Sequence, residues 1–190
     1  MSDVHPRTKI RQAVVDRLKA HQEVDGQTLW ATPAGERVFP GRELPTSVSL
    51  LPAILVYDDK ERPGGEYYQG VDKRIITLTV EVQVTARTAE ELDLLMDAAA
   101  LAVERVLMAE PTFGGLATAT SYSGTEKQRD FDGEVPFAWL WLDWEIEYPM
   151  STTYQPDSLD DFLVFHAEYD LAPTDGNIDA VDDVNLPPPE

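Results

Sequence analysis

Between residues 74 and 109 the chain writes a strand and a helix back to back. Apolar and polar positions alternate strictly from Ile76 to Val84. Ile76, Leu78, Val80, Val82 and Val84 share one face, and Thr77, Thr79, Glu81 and Gln83 share the other. This period of two is that of a half-buried strand, and the threonine-rich side suits an exposed sheet surface. Thr88-Ala-Glu-Glu91 then has the spacing of a capping box, in which the threonine accepts from the Glu91 amide and the glutamate reaches back. A helix is predicted over 89–109. Leu92, Leu95, Met96, Ala99, Val103, Val106 and Leu107 mark its apolar face. Glu90, Glu91, Asp93 and Asp97 lie near its N-terminus, where the helix dipole favours acids, and Pro111, Gly114 and Gly115 end it.

The same reading organises the rest. Pro6 suits a first helical turn, and Ile10, Val14 and Leu18 recur with Ala13 beside them, predicting a helix over 6–21 with His21 at its C-terminal end. Residues 27–52 read as a loop-rich crossing with one short strand near 37–39. Residues 52–57, Pro-Ala-Ile-Leu-Val-Tyr, read as a buried strand entered through proline. Residues 58–72, with Pro63-Gly64-Gly65, read as a loop. Residues 117–123 predict a short strand, and 124–136 a charged loop with an Asp132-Gly133 turn. A last strand spans 137–148. Ala138, Leu140, Leu142, Trp144, Ile146 and Tyr148 share one side. Phe137, Trp139, Trp141, Asp143, Glu145 and Glu147 share the other. Three large aromatics on one side of a strand call for a partner. Helix 1 of the same chain and the surface of another chain are the two readings. The expected class is α/β (α+β): a mixed or antiparallel sheet of about four to five strands with two main helices, in the order α-β-β-α-β-β.

Past Pro149 the character changes. Residues 1–149 form one domain, and 150–190 an acidic, proline-rich extension that closes on Pro-Pro-Pro-Glu. Within it, residues 159–171 are apolar enough for a short helix or an extended arm. The extended arm, with Phe162, Val164 and His166 in line, is favoured, and little independent structure is expected beyond Pro173.

Charge narrows the partners. The chain carries a formal −20 at pH 7, all 15 Lys and Arg lie at or before Arg129, and residues 151–190 hold ten acids and no base. Such a field repels phosphate backbones and argues against sequence-specific nucleic-acid binding. With 43% hydrophobic residues there is enough for a core. The longest apolar runs are too short to span a bilayer, so no membrane partner is expected. The first residues lack the basic and apolar regions of a secretory signal. The absence of cysteine excludes disulfides and thiolate sites and fits a reducing cytoplasm.

No catalytic motif survives inspection. His5, His21 and His166 form no HxH or HxxxH pair, so no metal site is supported. There is no GxSxG elbow, no SxxK and no phosphate-binding glycine loop. Asp58-Asp59, just past a strand end, are an acidic pair with the chemistry for acid–base work or a divalent cation. A solvated turn is the weightier reading of the pair, which leaves it a weak candidate. No enzyme and no cofactor are expected.

Four phrases carry a resemblance: residues 51–58 (Leu-Pro-Ala-Ile-Leu-Val-Tyr-Asp), the strand over 74–85, the helix start at 88–91 (Thr-Ala-Glu-Glu), and residues 144–148 (Trp-Glu-Ile-Glu-Tyr). In this order, over residues 7–149, the chain resembles the tail terminator proteins of long-tailed bacteriophages, of the lambda minor tail protein U type. The resemblance implies an α/β subunit that forms a ring, typically six copies. The ring caps the finished tail tube and offers the joining surface to the head connector. It implies as partners other copies of the chain, the tail tube protein and head–tail connector proteins. It also implies a place at the head-proximal end of the virion tail after assembly in the host cytoplasm. It carries over no catalytic residue. Phe137, Trp139 and Trp141, with Phe162 and Val164 of the extension, are the candidate subunit interface. Another head–tail or tail completion protein, or a non-viral soluble adaptor of ferredoxin-like type, are the alternatives.

Overall fold

The computed structural model describes residues 4–41, 48–65, 70–131, 136–151, 164–169 and 180–185. The chain divides into two compact units, Met1–Thr152 and Thr153–Glu190. The first is a mixed α+β domain with two helices and a five-stranded mixed sheet.

Helix α1 spans Pro6–Leu18. Proline fills its first position, and the His5 ring accepts from the Arg7 amide at 3.3 Å. The helix ends three residues earlier than the periodicity suggests. His21 therefore does not end it. Instead His21 opens a hairpin of β1 (His21–Val24) and β2 (Gln27–Trp30), and its ring lies 4.8 Å from that of Trp30. The turn is Asp25-Gly26, both at positive φ (52° and 75°), the pair that a two-residue hairpin turn demands.

The sheet follows. β3 (Val38–Pro40) pairs in parallel with β4 (Ala53–Pro63), after a 3₁₀ turn at Val48–Leu50. β4 pairs antiparallel with β5 (Val71–Thr85). Helix α2 (Ala89–Ala109) then crosses the sheet, and β6 (Ala119–Asp130) and β7 (Phe137–Ser151) complete it in the order β3-β4-β5-β7-β6. Two stretches read as loop from sequence are strand: β4 continues to Pro63, with a register shift between Tyr57 and Lys60, and β6 continues to Asp130. Both stretches are mostly charged or polar while their backbones pair with β5 and β7, so alternation of hydrophobicity gives no signal there. The Asp132-Gly133 turn lies outside the described residues. This order is not the ferredoxin-like β-α-β-β-α-β pattern.

Both helices lie on one face. Ile10, Val14, Val15 and Leu18 of α1, and Leu92, Met96, Ala99, Val103 and Leu107 of α2, pack into a core with Ile54 and Val56 of β4. The inward row of β5 and the row Ala138, Leu140, Leu142, Trp144, Ile146, Tyr148 of β7 complete it. The Thr88 hydroxyl accepts from the Glu91 amide at 3.2 Å, and Glu91 accepts from the Arg87 amide, one residue before the cap that the motif names. Leu95, placed on the buried face by periodicity, is exposed, and Val106 is half-buried. Val106 and Ala100 pack against the edge of the core that the five buried side chains of α2 fill.

In the second unit, β8 (Val164–Tyr169) pairs antiparallel with β9 (Ala180–Asn185). β8 is extended, in line with the arm reading. β9 corrects the expectation of little structure beyond Pro173. Val181 and Val184 are three residues apart, so they share no face, and no apolar row marked the strand.

Candidate functional site

With α1 and α2 on one side, the other side of the sheet carries the aromatic row. Three cross-strand layers build it. Ala53, Gln83, Trp139 and Gln128 are in register, then Leu55, Glu81, Trp141 and Glu126, then Tyr57, Thr79, Asp143 and Gly124. Phe137 and Trp139 meet edge to face, centroids 4.3 Å apart and rings at 79°. The reading in which Phe137, Trp139 and Trp141 pack against helix 1 is therefore overturned: α1 covers the opposite face, because the inward phase of β7 is set by Leu140, Leu142 and Trp144.

Sequence alternation assigns Glu81 and Gln83 to an exposed polar row. They are 4% and 5% exposed. Their cover comes from elements distant in the chain. The Glu81 carboxylate accepts from the Tyr57 hydroxyl at 2.8 Å, from the Trp141 indole N–H at 3.0 Å and from the Gln83 amide. One layer along, the Thr79 hydroxyl donates to Asp143 at 2.6 Å. Further out, Arg62 pairs with Glu145 at 2.9 Å and Lys73 with Glu147 at 2.8 Å, so the acidic half of β7 is neutralised by neighbouring strands.

A cavity of about 330 Å³ opens beside Glu81, walled also by Tyr57, Thr79 and Trp141 and reaching Asp58, Asp59 and Arg11. The acidic pair is split within it. Asp58 is bound by the Arg11 guanidinium, and Asp59 is exposed. Neither sits in a turn; both sit where β4 shifts register. Among the described residues no three His, Asp or Glu side chains gather as a metal site. Val164 opens β8 in the second unit, and Phe162 lies outside the described residues.

A second apolar surface was missed by sequence reading. On the outer side of α2, Leu94, Leu101 and Met108 recur every seven residues and are 66%, 47% and 50% exposed. The heptad spacing is visible in the sequence, but the stronger inward stripe at Leu92, Met96, Ala99 and Val103 masks it. Ala98 lies between Leu94 and Leu101 on that side, and Arg105 between Leu101 and Met108.

Neither a protein-family model nor a curated protein matches this chain.

Proposed function

We propose that the chain is a structural virion protein of the tail-terminator kind. Its subunits close into a ring of about six copies that caps the tail tube and presents the joining surface to the head connector. The observation that carries this reading is a pair of unlike apolar surfaces on one domain. The aromatic row of β7 lies on the sheet face away from the helices, and the leucine stripe lies on the outer side of α2. A head-to-tail ring needs two different patches, one for each neighbour, whereas a two-fold dimer needs one. The resemblance over residues 7–149 supplies the biological setting. A net charge of −20 suits a ring through which DNA passes without sticking.

Complementation tests it. Trp139→Ser removes the sheet-side patch and Leu101→Glu the helix-side patch. Each variant alone is expected to be monomeric. Mixed, they retain one good pair of surfaces and should give a one-to-one dimer that grows no further. Two variants that stay monomeric on mixing, or that each still form the full assembly, overturn the head-to-tail ring. In infected cells, tails made without the protein should be overlong; normal tubes lacking heads would point to a joining protein instead.

A further inference from the structure

We propose that the cavity beside Glu81 binds an alkyl-guanidinium or alkyl-ammonium group. The inference goes beyond the ring and does not require it.

Two independent observations converge there. The first is charge. Three carboxylates, Asp58, Asp59 and Glu81, line the cavity against one cation, Arg11, and Arg11 is committed to Asp58 at 2.5 Å. Glu81 is almost wholly buried, yet the three groups that donate to it, from Tyr57, Trp141 and Gln83, are all neutral. A buried carboxylate is costly unless a positive charge offsets it, and neutral donors do so only in part. The second is the wall. The Tyr57 and Trp141 rings line the space, and aromatic rings attract organic cations.

The same features reject other ligands. Phosphates and carboxylates meet a net-negative lining. A divalent metal wants several oxygen ligands converging, and no such group of three exists among the described residues. About 330 Å³ is room for one side-chain-sized group and sits at the small end of ligand pockets. The cation has two possible sources with the same chemistry, a basic side chain of a protein and a free polyamine.

The test uses the full chain labelled with ¹⁵N, following the Trp141 indole resonance, assigned by its loss in Trp141→Phe. N-acetyl-arginine amide represents a side chain, spermidine a free polyamine, and N-acetyl-citrulline amide the same shape without charge. A saturable shift with either cation and none with citrulline is expected, and it should weaken as salt is raised. Asp59→Asn, at an exposed position that the fold does not need, should weaken binding by about threefold. Glu81→Gln should weaken it by about tenfold or more. Binding of the arginine compound alone points to a protein partner, and of spermidine alone to a polyamine. No saturable shift with either cation, or an equal shift with citrulline, would overturn the proposal.

Discussion

At the scale of single residues, the most informative group is Tyr148 with its neighbours. Tyr148 is fully buried on the helix side of the sheet and donates to Glu61 at 2.7 Å. Arg74 donates to the other oxygen of Glu61 at 2.9 Å, and Arg7 stands 3.7 Å away. Burial raises the Tyr148 hydroxyl well above its ordinary value, and the adjacent Glu61 carboxylate raises it further. For Glu61 burial also pushes upward. The hydrogen bonds from Tyr148 and Arg74 and the attraction of Arg74 and Arg7 together outweigh it, leaving the carboxyl below its ordinary range. Glu147 is lowered too, by hydrogen bonds from Lys73 and Thr118. A carboxyl lowered on folding stabilises the fold above the ordinary carboxylate range, and that stability is lost as pH falls through the lowered value. Glu61→Gln should therefore unfold more easily than wild type near neutrality, with the gap closing on acidification below about pH 4. Urea midpoints measured across that interval check this; a gap constant with pH would show that Glu61 contributes no linked protons. Tyr148→Phe should cost about 1 kcal/mol, the ordinary net worth of one hydrogen bond.

Glu81 marks the limit of what single residues reveal in sequence. Its place on the face opposite Val80 and Val82 was legible from alternation. Its burial was not, because the groups that cover it come from β4 and β7, 24 and 60 residues away. Phe137, Trp139 and Trp141 were legible as a row. Which side of the sheet the helices take was not, since periodicity fixes the phase of a strand relative to itself but not to a distant helix.

At the scale of elements, legibility followed amphipathic contrast. α2, β5 and β7 each oppose an apolar row to a polar one over many residues, and their cores were readable. α2 also carried its own start signal, so Thr88→Ala should cost about 1 kcal/mol through loss of the cap. Thermal or urea unfolding measures it, and no change would mean that the exposed cap is satisfied by water. The hairpin β1–β2 was missed because seven of its eight strand residues are exposed and carry no alternation. Its signal was local and confined to the turn dipeptide Asp25-Gly26. Both turn residues sit at positive φ. Gly26→Val should loosen the hairpin by roughly 1 kcal/mol or more and quench the contact between His21 and Trp30, visible as a change in the Trp30 indole resonance. An unchanged resonance would show that the turn does not set the hairpin.

At the scale of the molecule, charge and division into units set the behaviour. Every residue of the described core falls between Ile10 and Tyr148, inside the first unit. A chain ended after Thr152 should therefore keep its cooperative unfolding. If residues 150–190 are an arm that lies on a neighbour, the same truncation should weaken assembly. A shortened chain that assembles as well as the full one removes the arm from the mechanism. Subunits of charge −20 repel one another, so assembly should strengthen as salt is added, the opposite of the salt response expected for the Glu81 cavity.

Mass in solution bears most directly on the ring. Light scattering or mass photometry of the purified chain, with salt raised and tube subunits supplied, should find a closed species near about six times the 21.2 kDa of one chain. A single species at 21.2 kDa under all of these conditions would contradict it.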